Sequence, residues 1–487
     1  MKLWPARRTG RVALAKASRC YGRKRRGVAL VLVLSAITVL TVMLGEFQDQ
    51  TSAELGSALS ERDALRAEYA AVSAVNLTRL LIAAEPTIRK SLSIFGMLFG
   101  GKLPQVGVWE YANELLGAFN DKEGEEAFGQ LAGVDLSAGL HLGLEGARFE
   151  VDVVDEDSKI NLNLAARGSA IFSGRLAGLL IGMMAPPRYD PMFEQRGSDG
   201  NFNDRATICS ALIDWVDPDQ EIFPCGTDIE TAQQMAAEDS YYQLLNPPYQ
   251  RKNAAFDSLE ELHMVRGISD DFWATFFEPD GDDPHKRLVT VWGQEAVNLN
   301  SANPYELLAI VCSNYGQPTH PLCTDPIKSE TLLQILFMVK SFVRGVPIFP
   351  NPEDFVQFVK GGGMFGGLLQ GAGVPPMQLT SEKEVAAMLT NESKIFSIYA
   401  TGIVQSGQRE TRVPIHAVVD FRSAPPPGRD SRLEALSNAL GGAQGAAAAT
   451  SSGQPDLSGL PEGATEDAVA KVLRPNPAGS MVYYRLN

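Results

Sequence analysis

The feature that most constrains this chain is a run of uncharged, mostly apolar residues near its N-terminus. Val28–Leu44 reads VALVLVLSAITVLTVML, and no charged residue occurs between Gly27 and Gly45. A helix of this length spans about 25 Å, close to the roughly 30 Å hydrocarbon core of a bilayer. Four basic residues stand directly before the run: Arg23, Lys24, Arg25 and Arg26. Because basic flanks stay on the cytoplasmic side, the sequence predicts one membrane span with residues 1–26 in the cytoplasm.

The charge distribution indicates that the two sides of this run lie in different compartments. Residues 1–27 hold ten Lys or Arg and no acid, although the whole chain carries a net charge of -15. The remainder is strongly acidic, which argues against nucleic-acid binding because phosphates require a basic surface. Two other interpretations of the run stay open. One is a buried helix of a soluble core. The other is a cleavable secretory signal, although no A-x-A-like site follows the run.

The composition and the apolar pattern predict an α+β protein of several parts. With 45% hydrophobic and 21% charged residues among 487, the chain has a globular composition and room for two to four domains. We predict the following parts: a basic leader (1–27), a membrane segment and long amphipathic helix ended by Pro86 (28–86), the first part of a head with strands (87–164), a large helical insertion (165–390), a β-hairpin (391–422), a flexible Ala/Gly/Pro-rich insertion (423–480) and a terminal strand (481–487).

Four of the five cysteines lie beyond the membrane run, on the side that we expect to be exported. An even number of cysteines in an oxidising compartment favours disulfide bonds. Pairing Cys209 with Cys225 and Cys312 with Cys323 closes two short loops and is our prediction. A zinc site of four free thiols is the alternative, although the spacings lack CxxC character.

Two segments of the insertion resemble helix-hairpin-helix units, one at 258–276 and one at 297–311, with Gly267 at the turn of the first. Such units often bind the DNA backbone. The first unit, however, carries Glu260, Glu261, Asp270 and Asp271. A phosphate site needs the opposite charge, so we expect these units to serve protein packing.

The residues around the start of the apolar run resemble a known class of leader. Arg25-Arg26-Gly27-Val28-Ala29-Leu30, with the long helix behind it, is similar to the leader of type IV prepilins and type II secretion pseudopilins. The resemblance implies that a membrane-bound prepilin peptidase cuts between Gly27 and Val28 and methylates the new N-terminus. It also implies a protein of the inner membrane with its N-terminus in the cytoplasm and its head in the periplasm.

One departure from the common pilin pattern narrows the resemblance. Most pilins carry Glu at the fifth mature position, and here that position is Leu32. A carboxylate within the membrane is costly and is retained where it pairs with a neighbouring subunit. The K-type minor pseudopilin of type II secretion characteristically lacks this Glu, which suits a subunit at the tip of a pseudopilus.

Further segments resemble the same K-type family. The resemblance as a whole extends from Gly27 to about Phe421. Its motifs are the stretches Lys159–Asn163, Leu212–Asp219, Ala237–Tyr242 and Ser258–Gly267. The resemblance implies a small antiparallel pseudopilin sheet that is split by a large, mainly helical insertion domain. It also implies the partners: the minor pseudopilins of the I and J types, the major pseudopilin, the prepilin peptidase and the inner-membrane assembly platform.

An acidic cluster in the insertion indicates a cation site. Its members are Asp214, Asp217, Asp219, Glu221 and Asp228, with Glu238 and Asp239 further on. Hard oxygen ligands in an exported loop suit calcium, which the resemblance also implies, in a structural role. We predict Asp217, Asp219, Glu238 and Asp239 as the side-chain ligands. The alternative is a solvated acidic loop.

The function implied is structural. The five histidines are scattered, and no G-x-S-x-G, H-E-x-x-H or G-x-x-x-x-G-K-[ST] motif occurs, so we expect no enzyme. The resemblance implies a tip subunit that nucleates the pseudopilus and supports export of folded proteins across the outer membrane. A type IV minor pilin or a membrane-anchored adhesin is the alternative, and a periplasmic hydrolase has only the export signal in its favour.

Overall fold

The structure, a computed structural model, describes most of the chain beyond residue 25. The described residues are 26–98, 107–120, 144, 146–196, 200, 202–225, 240–279, 283–313, 320–342, 348–363, 365–424 and 476–486. The chain divides into two units, Met1–Arg62 and Asp63–Asn487. The leader before residue 26 and residues 425–475 of the Ala/Gly/Pro-rich segment lie outside the described residues, so those predictions stay predictions.

The apolar run forms part of a single long helix, α1 (Arg26–Leu98). The large apolar side chains from Val28 to Leu44 are all exposed. The hydroxyl groups of Ser35, Thr38 and Thr41 donate to carbonyl oxygens of the same helix. A helix with its backbone and hydroxyl groups satisfied internally is the form that lipid requires. Among the described residues, one unbroken helix is long and apolar enough to cross a membrane, and it is this one.

The predicted end of this helix at Pro86 is wrong. The backbone stays helical to Leu98, with Pro86 inside the helix. A proline removes one N–H donor from the helical ladder and crowds the preceding turn, but packing of the helix before it can offset that cost. On the N-terminal side, Ile82 and Ala83 are buried in the core of the head.

A four-stranded antiparallel sheet forms the head. Its strands are β1 (Ala147–Asp155), β6 (Ile395–Ser406), β7 (Arg409–Asp420) and β8 (Ser480–Leu486), in the order β1-β6-β7-β8. The hairpin of β6 and β7 turns at Gly407, which has a φ of 65°. The predicted hairpin and terminal strand are confirmed, and so is the α+β fold class.

Small residues bring α1 unusually close to this sheet. Ala67, Ala70, Ala71 and Ala74 are buried on the helix, and Gly402 lies beneath them on β6. A Cβ atom at Gly402 would stand 1.8 Å from the carbonyl oxygen of Ala67. Glycine is therefore required there by the approach of the two backbones. The core on this face also contains Phe149, Val151, Phe396 and Ile398, among others.

Residues between β1 and β6 form the helical insertion, which has its own large core. Its helices are α3 (Ala170–Met184), α4 (Asp190–Glu194), α5 (Arg205–Val216), α6 (Ser240–Gln243), α7 (Asp270–Phe272), α8 (Pro304–Ser313), α9 (Pro321–Thr324), α10 (Pro326–Phe342), α11 (Pro352–Val359), α12 (Gly366–Gly371) and α13 (Glu382–Ala387), while α2 (Ala112–Gly117) precedes β1. Short 3-10 helices cover Val108–Tyr111, Glu156–Ser158, Leu162–Arg167, Pro187–Tyr189, Leu259–Met264 and Pro284–Lys286, and Trp273–Phe277 is a π-helix.

Two short parallel strand pairs also belong to this region: β2 (Ile160–Asn161) with β3 (Val289–Thr290), and β4 (Val297–Asn298) with β5 (Leu389–Thr390). They correct the second helix-hairpin-helix prediction, because 297–311 begins with strand β4 and has one helix, α8, which starts at Pro304. The first unit is a 3-10 helix and α7 around Gly267, which has a φ of 85°.

Both predicted disulfide bonds are present. Cys209 is bonded to Cys225, and Cys312 to Cys323, across 16 and 11 residues of sequence. In the chain-entropy view, each restricts the unfolded chain and is worth about 3 kcal/mol.

Candidate functional site

Three consecutive acidic residues at the end of β1 connect the sheet to the insertion. We call Asp155, Glu156 and Asp157 the polar junction, and all three are buried. Asp155 Oδ2 accepts from the hydroxyl groups of Ser301 and Ser393 and, at 3.3 Å, from the amide of Asn298. Asn298 and Ser301 lie in the middle of the insertion, whereas Ser393 lies two residues before β6. The carboxyl group of Asp155 therefore connects the insertion to the start of β6.

Asp157 is bonded to backbone rather than to side chains. Its Oδ2 accepts from the N–H groups of Lys394 at 2.6 Å and Ile395 at 3.0 Å, and its Oδ1 accepts from that of Gln294 at 2.8 Å. Burial raises the pKa of both Asp155 and Asp157, with the donors acting in the opposite direction. Three backbone donors from two distant segments converge on this one carboxyl group, so it fixes how those segments meet.

Glu156 completes the junction with a buried ion pair. Its Oε1 lies 3.3 Å from Lys159 Nζ and accepts from Ser397, while Oε2 accepts from Thr290. Burial alone would raise the pKa of Glu156, but Lys159 and the two hydroxyl groups lower it overall. A charge that is buried and fully hydrogen-bonded specifies how the surrounding segments must pack.

An aromatic cluster provides a second contact between sheet and insertion. The His416 ring on β7 stacks on Tyr399 of β6, with ring centroids 4.2 Å apart, and also contacts Tyr483 of β8 and Trp292 of the insertion. Burial lowers the pKa of His416 to about 4. The imidazole is therefore neutral at physiological pH and acts as part of the packed cluster.

We expect Asp157→Ala to lower the free energy of unfolding by about 3 kcal/mol, because three N–H donors, one buried and two partly buried, lose their acceptor. Denaturant unfolding of the detergent-solubilised chain measures this. Asp152→Ala on the same strand is the matched control: Asp152 is exposed and its one ion pair, with His285, is also exposed. Such pairs contribute at most about 1 kcal/mol. Equal effects of the two substitutions would contradict the role of the junction.

Of the predicted metal ligands, Asp217 and Asp219 are described, and they lie beside Arg251. Asp217 caps the C-terminal end of α5 and is buried, with Oδ1 4.0 Å from Arg251 Nη1. Asp219 is exposed, and its Oδ1 accepts from the N–H of Glu221. Glu238 and Asp239 lie outside the described residues. Across the part of the chain that the structure describes, no group of three or more His, Cys, Asp or Glu side chains forms a metal site.

The buried carboxyl groups of this acidic segment, Asp214 and Asp217, have few hydrogen-bond donors. Burial, with Asp219 next to it, raises the pKa of Asp217 to about 6. Burial also raises the pKa of Asp214 to about 8, although Asp214 Oδ1 accepts from the N–H of Phe223 at 2.8 Å. Asp217 Oδ1 is buried and accepts no hydrogen bond. A buried carboxylate oxygen without a donor fits a hard cation, so the two described residues are compatible with calcium.

The predicted processing site lies in the first turn of α1. Gly27 and Val28 follow Arg26, where the described helix begins, and a Cβ atom at Gly27 would have no neighbour within 4 Å. The structure thus gives no packing reason for glycine at this position. Cleavage after Gly27 stays a prediction.

The polar junction is the feature that sequence reasoning missed. A signal was available, because five successive polar residues, Asp155–Lys159, interrupt the alternation of β1 immediately before a second strand. The partners of Asp155 and Asp157 in the insertion and near β6 lie more than 100 residues away in sequence, and no local pattern points to them.

The described features define a class: an α+β protein with a single-pass N-terminal anchor helix, whose small antiparallel sheet carries a large helical insertion. Residues 158–276, about a quarter of the chain, match the family model described as type II secretion system (T2SS), protein K. The matched segment begins directly after the polar junction and ends within the π-helix Trp273–Phe277. The predicted resemblance to K-type minor pseudopilins is thereby confirmed.

No curated protein matches the sequence. Among solved structures, a similar chain comes from the crystal structure of the GspK-GspI-GspJ complex of the enterotoxigenic Escherichia coli type 2 secretion system, with 15% sequence identity and a TM-score of 0.34, over 57% of this chain and 76% of that chain.

Proposed function

We propose that this protein is the minor pseudopilin at the tip of a type II secretion pseudopilus, where it nucleates assembly and supports export of folded proteins across the outer membrane. The observation that carries the proposal is the protein K match at 158–276, in the same chain as an apolar anchor helix. The match to a secretion family favours this function over a type IV minor pilin or adhesin.

The bulk of the head supports the tip position. The insertion separates β1 from β6 by the whole segment between Asp155 and Ile395 and has its own core of buried residues. A subunit of this size does not stack repeatedly in a thin fibre, whereas one copy at the end is unobstructed. Leu32 stands where most pilins carry a Glu within the membrane. Its presence also supports the tip position, because a terminal subunit needs no partner above it.

The proposed partners are the minor pseudopilins of the I and J types, the major pseudopilin and the inner-membrane assembly platform. The neighbouring crystal structure is of a complex that contains GspI and GspJ, and we propose corresponding partners for this chain. We place the anchor in the inner membrane, with the head in the periplasm, because the basic residues precede the apolar run.

The function is tested by deleting the gene and measuring secretion together with pseudopilus initiation. We expect secretion to fall strongly and initiation to be lost, because the subunit proposed to start the fibre is missing. Re-expression of the wild-type chain is the control and should restore both. Normal initiation kinetics in the deletion strain would contradict the proposal.

We also propose that calcium binds the acidic segment, through Asp217, Asp219, Glu238 and Asp239. The support is the donor-free, buried Oδ1 of Asp217 and the exposed Asp219 beside it. When bound, calcium would supply the positive charge that several close carboxylates need, and it would fix the loop that the Cys209–Cys225 disulfide closes. Arg251 holds the base of this loop by donating to the carbonyl oxygens of Asp214 and Asp219.

Titration calorimetry of the full chain in detergent tests the calcium proposal. We expect calcium to bind, and saturation at about 100 times Kd to stabilise the fold by about 2.7 kcal/mol. Asp217→Ala and Asp219→Ala should each weaken binding by about tenfold or more. Asp271→Ala, which changes an exposed acid on α7, should leave binding unchanged. No heat of binding for the wild-type chain would contradict the proposal.

A further inference from the structure

An arginine on the insertion is held between two tyrosine rings. Arg188 lies in the 3-10 helix Pro187–Tyr189 and is exposed. Its guanidinium carbon stands 4.5 Å from the ring centroid of Tyr189 and 4.4 Å from that of Tyr305 on α8. Nη1 donates to Tyr305 Oη at 3.2 Å, and Nη2 donates to Tyr189 Oη. The side chain is thus fixed by two cation–π contacts and two hydrogen bonds.

Each of the two tyrosine rings packs against a further aromatic ring. Tyr189 packs on Phe276, which is fully buried, with ring centroids 4.7 Å apart. Tyr305 contacts Phe337 of α10, edge to face at 5.9 Å. Phe337 is 44% exposed, so an apolar ring adjoins the arginine on the surface. The whole group therefore forms a rigid patch that draws on three separate segments of the insertion.

The guanidinium of Arg188 has N–H donors that these two hydrogen bonds leave unused. A guanidinium carries five N–H groups, and two of them are used here. Within the described residues Arg188 forms no ion pair, and the acid nearest in sequence, Asp190, is bonded instead to Arg205 at 2.6 Å. A carboxylate is the group that a planar guanidinium binds best, through two parallel hydrogen bonds.

We propose that this patch is a docking site for a partner protein, in which Arg188 binds an Asp or Glu side chain of the partner and Phe337 receives an apolar side chain beside it. Charge complementarity supports this occupant, because none of the described residues gives Arg188 a carboxylate partner and the nearby Asp190 is paired with Arg205. Tyrosine and arginine dominate the binding energy of protein interfaces, and a residue already fixed before binding loses little entropy. The exposed ring favours a protein segment over a free anion.

Short synthetic peptides with a fluorescent label test the site, using the full chain in detergent. One peptide has a glutamate between leucine and phenylalanine in a glycine–serine background, and two others have glutamine or lysine in place of the glutamate. We expect the glutamate peptide to bind at least about tenfold more tightly than the other two. Arg188→Gln should remove that preference. Arg188→Lys should lose most of it, because an ammonium lacks the planar fork.

Arg175→Gln is the matched control. Arg175 lies on α3 of the same insertion, and its guanidinium stands 5.9 Å from one ring, that of Phe172. The control should bind the glutamate peptide as the wild type does, and all variants should unfold at the same denaturant concentration. Three results would overturn the proposal: no peptide binding at about millimolar concentration, equal binding of the glutamate and glutamine peptides, or unchanged binding by Arg188→Gln.

Discussion

Replacing Gly27 with leucine is expected to leave the protein at its full precursor length and to abolish secretion. If a peptidase cuts between Gly27 and Val28, the glycine must enter a narrow active site in which a branched side chain has no room. The fold itself makes no such demand, since a Cβ atom at Gly27 has no neighbour within 4 Å. Leucine also favours the helix over glycine by about 0.8 kcal/mol. A loss of processing would therefore report the peptidase rather than folding.

Intact mass and N-terminal sequence of the protein from membranes provide the measurement, with active and inactive prepilin peptidase. The wild-type chain should begin at Val28, methylated, only when the peptidase is active. Gly45→Leu is the matched control, because it makes the same change in the same helix at another glycine without neighbours. A wild-type chain that begins at Met1 with active peptidase would refute processing, and one that begins beyond Gly45 would indicate a released, exported protein.

Local patterns were sufficient to predict a large part of the fold. The uncharged run from Val28 to Leu44 predicts its helix, because lipid leaves few alternatives for an apolar segment of that length. The short turn Gln405-Ser406-Gly407-Gln408 between two strand-like segments predicts the hairpin, since a tight turn pairs consecutive strands. The disulfides followed from compartment and loop length. In each instance the deciding interaction lies within about twenty residues of sequence.

Features decided by distant contacts could not be predicted. Pro86 is an ordinary stop signal, and it was overridden inside a helix that packs on the sheet. Val297 begins a strand because its partner, Leu389, lies far along the chain. Asp157 is bonded to donors on Gln294 and Lys394. The acidic segment near Asp217 was visible as composition, but composition does not show which oxygens share one cation.

Gly402 is the position where we expect a single methyl group to have the largest effect on the head. The Cβ atom of Gly402→Ala would lie 1.8 Å from the carbonyl oxygen of Ala67 and 2.9 Å from the N–H nitrogen of Ala71. Both neighbours are backbone atoms of α1, so no side-chain rotation relieves the contact. The helix must move away from β6, and the buried contacts of Ala71, Ala74 and Phe149 loosen with it. Overpacking of this kind costs about 3 kcal/mol or more.

Denaturant unfolding of the full chain in detergent measures this cost, and limited proteolysis shows which part opens. We expect Gly402→Ala to lower the midpoint strongly and to expose the sheet, because α1 is the element that covers it. Gly174→Ala in α3 is the control: its Cβ atom meets nothing within 4 Å, and alanine should stabilise that helix by about 0.5–1 kcal/mol. If Gly402→Ala unfolds at the wild-type midpoint, α1 does not pack on the sheet at this distance.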